Sequence, residues 1–165
     1  MKESIEDGLK HFEALFNFKA KTFMAPAFTW NDEIELVLKK NNIDYLQSMF
    51  YQNKVVSDTS QSIVYHYFGQ CNKFGQRYLL RNCTFEPFDG IDDPVGRCLK
   101  EIEIAFRLNK PATISTHRLN YIGKLDLSHS QKNLRLLNDL IIKILKKWPD
   151  TEFVSSPELA SLSFN

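Results

Sequence analysis

The sequence predicts an α/β fold of parallel strands with outer helices, an incomplete (β/α) barrel. Three observations carry that expectation. Short apolar, strand-like runs alternate with longer stretches in which apolar residues recur every three or four positions. Glycine, proline and asparagine punctuate the joins, as they do between βα units. About four or five such units fit into the 165 residues, whereas a closed (β/α)8 barrel takes ~250.

The elements follow in order. Residues 4–16 place Ile5, Leu9, Phe12 and Phe16 on one helical face. A short buried strand is expected over 21–25, stopped by Pro26. Thr29 or Asn31 then caps a second helix, which carries Ile34, Val37 and Leu38 and ends at Asn41 and Asn42. Residues 43–46 form another strand; 47–75 are less regular, with 62–68 extended before Gly69. A strand over 76–81 and a loop over 82–90 lead to Asp93, which caps a third helix with Pro94 in its first position. That helix runs to about Leu108, with Leu99, Ile102 and Phe106 inward.

Residues 111–116 read as a strand ending at His117. Ser130 is expected to cap the longest helix, whose stripe is Leu134, Leu137, Ile141, Ile144 and Trp148. A last strand is expected over 151–154, and Ser156 with Pro157 opens a final helix. No internal repeat or low-complexity run interrupts the order, so residues 1–165 read as one domain.

Charge and composition narrow the function classes. Basic residues number 21 against 20 acidic, a net charge of +1, which speaks against a nucleic-acid partner. No apolar run approaches the ~20 residues of a membrane span. The first dozen residues, MKESIEDGLKHF, lack the apolar core of a signal peptide. The sequence sets no compartment, and export of a longer parent stays open. Cys71, Cys83 and Cys98 are odd in number and lack CxxC spacing, so idle thiols are expected rather than a disulfide or zinc framework. Aromatics make up 13% of the chain, including 13 Phe. Most belong to the core, yet several stand beside polar loop residues, as a sugar cleft requires.

Ligands of parallel sheets bind beyond the C-terminal ends of the strands. The segments there are 26–31, 82–93 and 117–127, and the loops after Met24, Arg81 and Thr116 are expected to share one rim.

Two stretches carry a resemblance. Phe23-Met24-Ala25-Pro26-Ala27-Phe28-Thr29-Trp30-Asn31 resembles the strand of polysaccharide deacetylase-like proteins that ends in Phe-Arg-x-Pro-Tyr. Lys110 to Tyr121 is similar to that family's late strand ending in Leu-x-His. The long helix and residues 150–159 match its closing helix, strand and helix in order. The resemblance implies the C-terminal half of a distorted (β/α)7 barrel. It also implies metal-dependent removal of acetyl groups from amino sugars, with His117 as general acid. Met24 stands where the family has Arg, Ser115 where it has Leu, and the family's Tyr falls on Ala27 or is displaced to Phe28. The family's early Asp-Asp and His-x-x-x-His motifs, which supply base and metal ligands, have no counterpart ahead of these stretches in this sequence. No metal or other cofactor is therefore expected in this chain, although the resemblance implies a divalent metal in a full-length parent.

The catalytic candidates are His117, Glu86 and Arg81; the candidates for sugar contact are Trp30, Asn31, Asn82, Arg118, Asn120 and Tyr121. Imidazole titrates near neutral pH, so His117 suits proton transfer, or else simply closes a strand end by hydrogen bonding. Glu86 lies between aromatics and near Arg81, which fits acid–base chemistry or an ion pair bracing the loop. Trp30 offers a stacking face, while Asn31 is a sugar contact or a helix cap. Arg118, Asn120 and Tyr121 contact sugar or pin their loop. Asp92 and Asp93 imitate a metal pair, but Asp93 directly before Pro94 is better explained as a cap. A glycosidase needs two facing carboxylates, for which Glu86 and Asp89 are the pair on offer.

The expected function is thus a deacetylase-like hydrolase acting on an amino-sugar or related polysaccharide or oligosaccharide, and inactive as this fragment. The alternative is a non-catalytic sugar-binding or subunit-interaction module. Open sheet edges would supply an oligomer contact in either case.

Overall fold

A computed structural model describes residues 2–57, 60–87, 92–123 and 127–164. The chain divides into two compact units, Met1–Leu80 with Val154–Asn165, and Arg81–Phe153.

The first unit begins with α1 (Lys2–Phe16), which has no fully buried residue but lays Ile5 and Leu9 against the core. Strand β1 (Thr22–Met24) follows, and a 3-10 turn over Pro26–Phe28 leads into β2 (Thr29–Trp30). Helix α2 (Asp32–Lys40) is capped as expected: Asn31 accepts from the Ile34 amide. Acidic residues in its first turn and lysines in its last suit the helix dipole. Strands β3 (Tyr45–Ser48), β4 (Tyr51–Ser57), β5 (Ser60–Tyr65) and β6 (Arg77–Leu80) complete the unit's sheets.

β1, β3 and β6 form one parallel sheet, in which Phe23 pairs with Leu46 and Leu46 with Tyr78. β2 lies parallel to β4, whereas β4 and β5 are an antiparallel hairpin. The hairpin corrects the expectation of parallel strands only. Its inward face carries Gln52, which donates to the Trp30 carbonyl and bonds His66, so the apolar alternation that marks a strand is broken there. Ala25, Trp30, Leu38, Ile43, Leu46 and Tyr78 make the core.

Residues 151–154, expected as a strand, are not one: 152–154 are exposed, and among the described residues no strand pairs with them. The chain instead re-enters the first unit with α5 (Ser156–Phe164). The Phe164 ring seats α5. It stacks on Tyr45 at 6.4 Å, meets Phe68 at 5.4 Å, and lies under the Arg77 guanidinium at 4.8 Å. Gly69, at φ +81°, has no room for a side chain, since a Cβ there would stand 2.9 Å from that ring.

The second unit is a βαβ crossover with one further helix. β7 (Cys83–Thr84) leads through α3 (Pro94–Arg107) to β8 (Ile114–Ser115), parallel to β7, and then to α4 (Leu127–Lys147). Asp93 caps α3 by accepting from the Gly96 amide at 2.8 Å. Ser130, expected as the cap of α4, sits inside its first turn, where its hydroxyl donates to the Leu127 carbonyl. Phe85, Val95, Ile102, Leu140 and Ile144 pack with Cys83 and Cys98. Burial pushes both thiols up to about 12, which keeps them protonated. Among the described residues the strands form sheets of three, three and two, none of them closed into a barrel.

Candidate functional site

Parallel pairing of β7 with β8 decides where the catalytic candidates meet. Thr84 stands opposite Ser115, so two residues further on Glu86 and His117 leave the strand ends side by side. The His117 Nδ1 lies 2.7 Å from Glu86 Oε1. The second carboxylate oxygen accepts from the Asn120 side-chain amide, also at 2.7 Å. Asn120 belongs to a 3-10 turn over Arg118–Asn120, and its carbonyl in turn accepts from Asn133 of α4 at 3.0 Å. Helix, turn and strand end therefore fix the carboxylate from two sides.

The pair is asymmetric in exposure. The Glu86 side chain is 16% accessible and that of His117 is 77%. A carboxylate only accepts, so Nδ1 is the donor and Nε2 is the ring nitrogen left for chemistry. Arg81 lies half-buried near the pair: burial pulls its guanidinium down from its ordinary value, and the charge of Glu86 works against that. The Tyr121 hydroxyl shares a 2.8 Å hydrogen bond with Thr116, and burial pushes its phenol upward.

Of the three loops expected at one rim, those after Arg81 and Thr116 are thus joined through Glu86 and His117. The loop after Met24, with Trp30 and Asn31, belongs to the first unit. Trp30 is 3% exposed, and its indole donates to Glu35, so the ring serves the core and offers no stacking face. The side-chain oxygen of Asn31 is taken by its helix. Asn82 braces the strand pair, accepting from the Thr113 amide and donating to the Pro111 carbonyl. Asn120 acts on Glu86. Arg118 is exposed and Tyr121 partly so. Asp89 lies outside the described residues. Among the described residues no three His, Cys, Asp or Glu side chains gather where one metal ion could be held, and no helix is long and apolar enough to cross a membrane.

A second carboxylate, unmarked by the sequence reading, is buried in the first unit. Glu35 is 4% exposed and accepts from Trp30 Nε1 at 2.9 Å, the Tyr78 hydroxyl at 2.7 Å and the Asn72 amide at 2.9 Å. The Tyr78 ring stacks on His66, with centroids 3.7 Å apart. The available signal was spacing: Glu35 stands three residues before Leu38, on the buried side of α2.

A carboxylate thus holds an exposed imidazole at the C-terminal ends of two parallel strands, the place where α/β proteins generally bind ligands. Residues 1–152 match the family model of glycosyl hydrolase family 57. The chain belongs to that family, and so to a carbohydrate-active class. No curated protein and no solved structure gives a significant match. The match overturns the resemblance to polysaccharide deacetylases, which are a different family. A proline after a short strand and a strand ending near histidine are features many βα units share. The discriminating positions were the departures at Met24, Ala27 and Ser115.

Proposed function

We propose that this chain takes part in hydrolysing glycosidic bonds in a polysaccharide or oligosaccharide, with Glu86 and His117 as its proton-handling pair. The observation that supports the reading is the 2.7 Å contact between Glu86 and His117 Nδ1 at the strand ends. In this scheme Glu86 holds the imidazolium, and Nε2 of His117 gives its proton to the leaving glycosidic oxygen as the anomeric C–O bond breaks. Water adds to the anomeric carbon, and the proton that water releases returns to Nε2. Arg81 and Asn120 are positioning residues: one sets the local charge and the other fixes the carboxylate. Arg118 and Tyr121 lie next to the pair and are the side chains proposed to touch sugar. The parallel βα steps fit a segment of a larger (β/α) barrel. The test is release of reducing ends from neutral gluco- and xylo-oligosaccharides. Glu86→Gln and His117→Asn should each lower turnover about a hundredfold, and the double variant little further, because the two act as a unit. Wild-type turnover in both single variants would overturn the scheme.

A non-catalytic interaction module is the second reading, and one observation favours it. Beside β1, the end strand of its sheet among the described residues, an apolar hollow of about 720 Å³ is lined by Ile5, Leu9, Phe12, Phe23 and Met24. An apolar hollow of that size suits a second copy of this chain. Sedimentation as a concentration-dependent dimer, lost in Phe12→Asp, would support it; a monomer at all concentrations would remove it.

A further inference from the structure

We propose that the outward face of the β4–β5 hairpin is a stacking platform for a neutral saccharide chain, a carbohydrate contact carried by the first unit. This rests on the reading of the protein as carbohydrate-active.

The register sets the face. Tyr51 pairs with Tyr65 and Asn53 with Ile63, and directly opposed residues project to the same side. Gln52, between them, turns inward and is 2% exposed. Phe50, just before β4, adds its ring, which is parallel to that of Tyr65 within 1° at 6.3 Å between centroids. Tyr51 stands edge-on to Phe50 at 5.3 Å and to Phe28 at 6.1 Å. Phe50, Ile63 and Tyr65 are 56, 62 and 67% exposed, an aromatic group that a soluble protein ordinarily covers.

A second observation is the backbone beneath Phe28. Ala27 and Phe28 both adopt left-handed angles, φ +49° and +52°, which side-chain-bearing residues avoid. Asn53 donates to the Ala27 carbonyl at 3.1 Å and Thr29 donates to the same oxygen at 3.2 Å, so the hairpin itself holds that turn. Strain held by specific bonds clusters where a ligand is met.

The chemistry selects the occupant. None of Phe28, Phe50, Tyr51, Asn53, Ile63 and Tyr65 is charged, so the face has nothing for phosphates, acidic glycans or an anionic membrane. Neither tyrosine hydroxyl is hydrogen-bonded to another described residue, and Asn53 keeps its side-chain oxygen free of donors among them. Flat apolar rings with hydroxyls at their rims match a pyranose, which presents C–H groups on its face and hydroxyls at its edge.

Gel retardation of the full chain by soluble starch, laminarin or hydroxyethylcellulose, with alginate as the acidic arm, tests the proposal. At least one neutral polymer should retard the protein and alginate should not. Tyr65→Ala and Phe50→Ala should each weaken retention about tenfold, with Tyr65→Phe, which keeps the ring and loses the hydroxyl, weakening it less and urea midpoints unchanged. Glu86→Gln should leave retention intact. Absence of retardation by all three neutral polymers, or full retention in both alanine variants, overturns the platform. So does a change in sedimentation without any change in retention, which would assign the face to a protein partner. Lost retention with the Glu86 dependence of turnover preserved refutes the platform alone. Tyr65-dependent retention with turnover indifferent to Glu86 and His117 refutes the rim alone.

Discussion

Glu35 and Glu86 are the same functional group in two opposite settings. Glu35 is sealed in the first unit and accepts from three neutral donors, Trp30, Tyr78 and Asn72. Glu86 sits at a strand end of the second unit, held by Asn120 and joined to a histidine that faces solvent. A buried carboxylate is tolerated only where its lone pairs are met by donors. Met entirely by fixed donors, it ties helix to strands. Met in part by an exposed imidazole, it is tied to a ring that faces solvent. The partners, not the carboxylate, separate the two settings.

The widest separation should come from removing Glu35. Glu35→Ala strands the buried donors of Trp30 and Tyr78 and should cost the first unit about 3 kcal/mol or more, read as a lowered urea midpoint. The same loss at Glu86 should be chemical instead. Glu86→Gln should change unfolding free energy by less than about 1 kcal/mol, while turnover falls about a hundredfold. Equal stability losses at the two positions would break the contrast.

A smaller effect belongs to His66, which stacks on Tyr78. Burial holds its imidazole below the ordinary value, with Gln70 and Glu35 opposing. The unfolded chain, with a pKa near 6.5, then binds a proton the folded unit refuses. Stability present above that pH is lost as pH falls through it towards the depressed native value. Thermal melts at about pH 7 and about pH 5 should show a larger drop in Tm for wild type than for His66→Gln. The smallest effect is expected at Asn31, which sits between the helix and the network. Asn31→Ala should cost about 1 kcal/mol, the worth of one cap, without altering turnover.

The sequence was most readable where local rules act alone. Asn31 before α2, and Asp93 with Pro94 at α3, announced helix starts through hydrogen-bond geometry that needs no distant partner. Ser156, expected to cap α5, instead lies inside that helix, and its hydroxyl accepts from Gln47 at 2.8 Å. That the loops after Arg81 and Thr116 meet, through Glu86 and His117, was recoverable because both follow the ends of neighbouring parallel strands. Failures came where distant partners override local pattern. Gln52 is buried because Trp30 and His66 satisfy it, which hid a hairpin strand. Trp30 looked like a platform beside a loop until Glu35 claimed its N–H. Residues 151–154 had strand-like composition, but among the described residues no strand pairs with them. Family assignment failed for a related reason: element order is common property among α/β proteins, and only particular side chains at particular positions distinguish one lineage from another.

The Phe164 anchor has a consequence for how the molecule is made. One unit is encoded in two pieces, since its last helix is separated from its strands by the whole of 81–153. The other is encoded without interruption, by residues 81–153. Until the final turn of α5 arrives, Gly69, Tyr45 and Phe68 lack the ring they close on. The strands that precede the second unit are therefore completed only by residues that follow it.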